Sequence, residues 1–188
     1  MQGIEKLIDL ILRDVKVELS DEFDRNFARQ AFFSERWARR KTPSSRGDRA
    51  VLTDTGSLRR SITSRINGRS ITFSSDLPYA AIHNEGGEIR VTAQMKRYFW
   101  ARYYEARGSF GFRKDGSRRR DKRNRLLTEE AEFWRAMALM RVGSTVKIPR
   151  RQFLGTHPQL ERQVREIIEE NLQAYFAQLK IDEKGIHE

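Results

Sequence analysis

Asp54-Thr55-Gly56-Ser57 is the run in this chain that most resembles a reaction centre. Its pattern matches the aspartate loop of aspartic proteases, in which two carboxylates share one proton. Only one copy is present, so that chemistry would require a homodimer. The protease fold is almost wholly β, and only Val51 and Leu52 stand where an apolar strand should lead in. The other reading is a turn: Asp54 and Thr55 bond backbone amides and Gly56 takes a conformation that other residues avoid. His83 lies two residues from Glu85, a weak metal pair. The remaining histidines are His157 and His187, and no His-x-x-x-His or His-Glu-x-x-His spacing occurs. His83 is expected to be a hydrogen-bonded structural residue, and His157 beside Pro158 reads as part of a helix start. Gly86-Gly87 and the Gly108 to Gly111 pair lack the Gly-Lys-Ser/Thr that makes a phosphate loop. No acid, base and nucleophile converge. The expectation is a protein that is not an enzyme, with no cofactor, no metal and no small-molecule substrate.

The strongest electrostatic feature is a basic run: Arg113, Lys114, Arg118, Arg119, Arg120, Lys122, Arg123 and Arg125. Tyr98, Trp100, Tyr103, Tyr104, Phe110 and Phe112 lie nearby and offer faces on which bases stack. Three readings stand together: contact with nucleic acid, docking on an acidic protein ring through bidentate Arg–carboxylate bonds, and a solvated tip between packed helices. A segment of this composition has little to bury and is expected to be mobile unless a neighbouring subunit holds it. Its deletion, about residues 109 to 125, is expected to leave folding intact and weaken assembly.

Composition agrees with a polyanion or acidic partner. The 188 residues carry 37 Lys and Arg against 26 Asp and Glu, a net charge of +11. There is no cysteine, which removes disulfides and thiolate zinc sites. No apolar run approaches the roughly 20 residues of a membrane span, so no membrane partner is expected. Glu5 and Asp9 interrupt the apolar N-terminal patch, which does not read as a signal peptide.

The elements that must hold these residues follow from periodicity. Ile4, Leu7, Ile8, Ile11, Val15, Leu19, Phe23 and Phe27 predict a long amphipathic helix over about 3–32. Residues 41–48 form a loop by composition. Leu58 to Ile66 and Ser70 to Ser75 predict two strands joined at Asn67-Gly68-Arg69, with Ile62, Ile66, Ile71 and Phe73 inward. Pro78 to Glu85 reads as a helical turn or an irregular arm, and Glu88 to Thr92 as a strand. Met95, Phe99, Tyr103 and Ala106 form one stripe of a helix over about 92–107. A further helix opens at Thr128 and runs to about Arg141, with Phe133, Trp134, Met137 and Met140 as its apolar set. Thr145 to Ile148 is a short strand. A last helix spans Thr156 to Leu179, opened by a Thr156–Gln159 capping box with Pro158 in its first turn. Its buried face is Leu160, Val164, Ile167, Leu172, Tyr175, Phe176 and Leu179. The layout is α+β: a small, mainly antiparallel sheet packed by long N- and C-terminal helices. One domain over 1–188 is expected, with a helical-hairpin insertion at 93–143 carrying the basic tip loop.

Three segments in order carry a resemblance: Leu52 to Ile62 (LTDTGSLRRSI), Pro78 to Gly87 (PYAAIHNEGG) and Ile148 to Gly155 (IPRRQFLG). They resemble the phage virion-morphogenesis family of Mu-like tailed phages, also called tail-completion proteins. The resemblance covers about 50–92 and 145–179, with the 93–143 stretch as a departure from the family pattern. Its motif positions are Thr53, Asp54, Thr55, Gly56, Leu58, Ser61, Ile62, Pro78, Tyr79, Ala80, His83, Gly86, Arg151, Phe153, Leu154 and Gly155. The resemblance implies a virion protein of the tail or neck, assembled in the host cytoplasm, that completes the tail so that head and tail join. It implies no catalytic residue. The partners expected are other copies in a homo-oligomeric ring and neighbouring neck, connector or tail proteins, with DNA binding on the phage genome as the alternative.

Overall fold

The computed structural model describes residues 2–41 and 50–185. The loop expected at 41–48, apart from Lys41, lies outside the described residues, as does His187. In chain order the elements are α1 Gln2–Arg29, β1 Ala31–Phe32, β2 Glu35–Arg36, α2 Ser57–Arg60, β3 Ile62–Asn67, β4 Ser70–Ser75, α3 Ala80–Glu85, β5 Gly87–Arg90, α4 Ala93–Gly108, α5 Lys122–Leu139, β6 Thr145–Ile148 and α6 Pro158–Gly185. The class is α+β. Among the described residues the strands form three separate two-stranded antiparallel ribbons rather than one sheet.

Helix α1 buries Leu7, Val15, Leu19, Phe23 and Phe27 along the predicted stripe, while Ile4 is exposed. It stops at Arg29, three residues short of the expected end. Gln30 turns left-handed at φ 55, and Phe33 does so again at φ 53. Each such non-glycine residue costs about 1–2 kcal/mol. Burial of Phe32 and Phe33 (2% and 5% exposed) offsets that cost. Asn26, fully buried, accepts the Phe33 N–H at 3.0 Å and fixes the turn.

The β3–β4 hairpin pairs Asn67 with Ser70, so Gly68 and Arg69 are its two-residue loop. Gly68 sits at φ 59, and Asn67 is not left-handed. Glycine at the first central position is the type II′ pattern. The expected Asn-Gly turn is therefore displaced by one residue. Ile62, Ile66, Ile71 and Phe73 share the inward face. The predicted strand start at Leu58 is corrected: Ser57–Arg60 is a helical turn, closed by Arg60 N–H to Gly56 O at 3.0 Å.

One core joins α1 (Val15, Leu19, Phe23), β1 and its turn, Ile71 and Phe73 of β4, and Leu160, Val164 and Ile167 of α6. A second joins Phe27, Trp37, Leu58, Ala80 and Phe153. Leu154 packs against both. Helix α6 runs antiparallel to α1: Asn171 donates to Asp14 at 3.0 Å, and a Cβ on Gly3 would stand 2.8 Å from the Tyr175 hydroxyl. Phe176 and Leu179, expected to be buried, are 56% and 41% exposed. The Thr156–Gln159 capping box does not form. His157 Nδ1 accepts the Gln159 N–H at 3.2 Å, and the ring stacks on Phe33 at 4.3 Å, so the imidazole opens α6.

Ribbon β5–β6, with Gly87 opposite Ile148 and Arg90 opposite Thr145, is the base from which α4 and α5 project as a packed pair. Thr92 caps α4 by accepting the Met95 N–H at 3.1 Å. Helix α5 starts at Lys122, six residues before the predicted Thr128, because Asp121 accepts the Asn124 N–H at 2.8 Å. Its buried set is Leu127, Ala131 and Ala138, with Asn124 and Glu130, rather than the aromatic and Met positions predicted.

Candidate functional site

The three motifs meet in one place. Leu58 of the first, Ala80 of the second and Phe153 of the third pack with Phe27 and Trp37 in the second core. The Phe27 ring lies 5.4 Å from both Trp37 and Phe153. Polar bonds tie the same segments. The Asn84 side-chain oxygen accepts the N–H groups of Phe153 and Leu154, both at 2.9 Å. Arg151 N–H donates to His83 O at 2.8 Å, and Trp37 Nε1 donates to Gln152 O at 2.6 Å. Arg151, 7% exposed, donates through Nε to Ala38 O at 2.8 Å. Gly86 is required here twice over: its φ is 75, and a Cβ would stand 2.8 Å from Arg150 N and 3.0 Å from Arg150 Cα. Gly155 at φ 142 makes the corner before α6. Asn84, Trp37 and Asn26 are not among the motif positions. Asn84 stands inside the PYAAIHNE segment, but an isolated Asn on a short helix gives no sign of a distant backbone target.

The Asp54 run is a turn. Gly56 has φ 70, and Thr55 Oγ1 accepts the Ser57 N–H at 3.3 Å and meets the Ser57 hydroxyl at 2.8 Å. Thr53 is half-buried and Asp54 is exposed in the same turn. Ser61 donates to Leu58 O at 2.8 Å and meets the Ser75 hydroxyl at 2.6 Å, tying α2 to β4. Pro78 precedes α3 in a turn, and Tyr79 and His83 stand edge-to-face at 6.1 Å, as four-residue spacing on a helical turn requires. The His83 Nδ1 is buried without a hydrogen-bond partner, contrary to the expectation of a satisfied ring. Burial first, and then the Arg151 charge, lowers its pKa below the ordinary histidine value. Burial likewise lowers Arg151, with Arg40 as the second cause.

Asp54 and His83 border one cleft of about 730 Å³, and Glu85 does not. Its floor is Met95 and Phe99 of α4, Phe133, Trp134 and Met137 of α5, Met140 just after that helix, and Val146 and Ile148 of β6. The apolar set predicted for α5 therefore lines a cleft instead of a closed core. No group of three metal-ligating side chains occurs among the described residues.

The basic run divides. Residues 109–121 fold back on themselves, with Phe112 bridged to Arg118 and Arg113 N–H donating to Ser117 O at 2.7 Å. Asn124, 3% exposed, holds the loop: its oxygen accepts Gly111 N–H at 2.9 Å, and its nitrogen donates to Gly111 O at 2.8 Å and Arg119 O at 2.7 Å. Arg118 lies 3.4 Å over the Phe110 ring and donates to the Thr128 hydroxyl. The chain itself supplies the tether that was expected from a neighbouring subunit. Arg113, Arg118, Arg119, Arg120, Lys122 and Arg125 surround a cationic cup, with Asp121 its acidic member. Lys114 and Arg123 stand outside the cup, both exposed. Since Asn124 belongs to α5 and to the tether, the 109–125 deletion removes structure as well as charge.

The geometry thus spends its polar motifs on joints between segments and presents a basic cup, exposed aromatics and an apolar cleft. No curated protein and no solved structure matches the chain. The model of the phage virion morphogenesis family matches residues 8–125, which takes in most of α1, the first two motifs, α4 and the basic loop. Residues 145–179, with the third motif, lie outside the matched stretch, and 93–125, read from sequence as a departure, lies inside it. Well over half of the sequence falls under that one description, and the chain belongs to the phage virion morphogenesis family.

Proposed function

We propose that this member of a structural assembly family is a tail-completion subunit, which self-associates into a ring and supports the junction of tail and head. The observation that carries the reading is the joint at Asn84, Arg151 and Phe153. The polar side chains there bind backbone and the apolar ones pack, and the work of the molecule is read as falling to its surfaces. Those surfaces are of the kind that partners cover: Tyr98 and Tyr104 on α4, Phe112 on the loop that follows it, and Ile4, Leu10 and Val17 on α1 are all about half exposed or more. The test has two arms. Sedimentation of the purified 22.1 kDa chain should give a closed oligomer. A lysate lacking the protein should accumulate separate heads and tails, and added protein should join them. Normal joining in its absence overturns the reading, and joining by a strict monomer overturns the ring.

A second reading has its own observation. The cup is lined by six cationic residues and one acidic one, a composition suited to a phosphate backbone. Duplex DNA binding should then weaken with salt, each phosphate contact adding about −0.9 to the slope of log K against log salt. Retention unaffected by Arg113→Ser, Arg119→Ser and Arg120→Ser together removes this reading.

A further inference from the structure

The cleft beside the joint has a mainly cationic mouth, with Asp54 as its acidic member. Arg40, Lys41, Lys147 and Arg151 line it, and among the described residues no carboxylate forms an ion pair with any of them. Arg151 instead bonds to backbone carbonyls, and Arg40 presses on it as a like charge. Two residues that line the cleft, His83 and Trp134, each carry a buried polar atom without a partner, Nδ1 and Nε1, which is uncommon in a finished interior. The floor is aromatic and methionine-rich, suited to adaptable apolar contact. About 730 Å³ falls within the range of pockets that take a compact apolar ligand, about 300–1,000 Å³. The occupant should be apolar at its tip and acidic beside it.

The same chain carries such a surface. Near the end of α6, Phe176 and Leu179 are 56% and 41% exposed. Glu166, Glu169 and Glu170 stand exposed one to three turns before them, with no ion pair among the described residues, and outnumber the exposed Arg165 and Lys180 of the same stretch. This end cannot reach its own cleft. It lies beside Gly3, whereas the cleft shares Leu58 with the core around Phe27. The 24 residue steps along α1 from Gly3 to Phe27 span about 36 Å at the helical rise.

We infer that the cleft of one copy receives the Phe176–Leu179 end of α6 from a second copy, with the α6 glutamates facing the cationic mouth. Two different surfaces at opposite ends of a subunit make a heterologous contact, which repeats into a ring when the rotation closes. The inference rests on the self-association proposed above and names the surfaces that produce it.

Complementary variants test it. Phe176→Asp with Leu179→Asp spoils the tip, and Arg40→Glu with Lys41→Glu spoils the mouth; all four positions are exposed, so folding is expected to be preserved and circular dichroism checks it. Each double variant should weaken self-association by about 10- to 100-fold, the range for losing one large buried apolar side chain. Mixed in equal amounts, the two should form a 1:1 dimer and stop there, since one intact tip and one intact cleft remain. Adding Glu169→Lys and Glu170→Lys to the mouth variant should restore assembly. A wild-type-like oligomer from the tip variant, or a mixture that stays monomeric, overturns the pairing and leaves self-association standing. A wild-type chain that is monomeric at all concentrations overturns both.

Discussion

Asn124→Ala tests whether the basic loop is held from within. The substitution removes three side-chain hydrogen bonds, one accepted from Gly111 N–H and two donated to Gly111 O and Arg119 O. A net hydrogen bond is worth about 0.5–1.5 kcal/mol, and water can reach this loop once it opens, so a loss of about 2 kcal/mol follows. The loss should be local, because α4 and α5 keep Phe99, Ala106, Leu127 and Ala131 between them. When reclosing is fast, cleavage tracks the open population, and about 2 kcal/mol then corresponds to about 30-fold faster cutting. Trypsin is the natural probe, since Arg113 to Arg125 is dense in its sites. The variant should be cut within this loop about 30-fold faster than wild type, with thermal unfolding of the rest little changed. A wild-type loop already cut as fast as an unstructured peptide, or a variant cut at the wild-type rate, would refute the internal tether.

Gly86→Ala should cost about 2–3 kcal/mol or more by urea unfolding, because a left-handed backbone and a 2.8 Å approach to Arg150 N act together. Gly68→Ala, with φ 59 and nothing within 4 Å, should cost only about 1 kcal/mol, and equal losses would contradict the account of Gly86. Asn84→Ala should destabilise by about 1–3 kcal/mol through two unpaired N–H groups, while Asn84→Asp keeps the acceptor and should stay close to wild type; equal melting temperatures for the two variants would contradict this. His83 has a lowered pKa when folded, so the unfolded chain binds more protons below its ordinary value near 6.5. Stability should therefore fall as pH drops from about 7 through 6.5 toward the folded value, and His83→Asn should flatten that part of the profile. An unchanged slope in the variant would assign the loss to other groups.

The apolar periodicity of α1 and α6 and the alternation in β3 and β4 were enough to specify the class, because burial on one face repeats every 3.6 or every 2 residues and needs no partner to be seen. The Pro78 to Gly87 segment was legible in part for a similar reason: Tyr79 and His83 meet through local helical geometry alone. Element ends were less legible. Gln30 and Phe33 carry no turn signal, and they turn left-handed only because two phenylalanines find a core against α1, β4 and α6. Asp121 is a capping residue by type, but one among several polar residues in a basic run, and burial of Asn124 is what selects it.

What the linear order of residues determined by itself was the long helices and the β3–β4 hairpin, the excess of positive charge and the lack of cysteine. What only the tertiary structure decided was the use of the polar motifs. Asn84, Trp37 and Arg151 bind backbone groups about 70 to 115 positions away, and such targets have no periodic mark in a sequence. The same holds for the cleft. Met137 and Trp134 look like core positions, and become surface only because α4, α5 and β6 leave a gap beside the joint. Local sequence sets which face of a helix is apolar; the packing of distant segments sets whether that face is closed or left for another molecule.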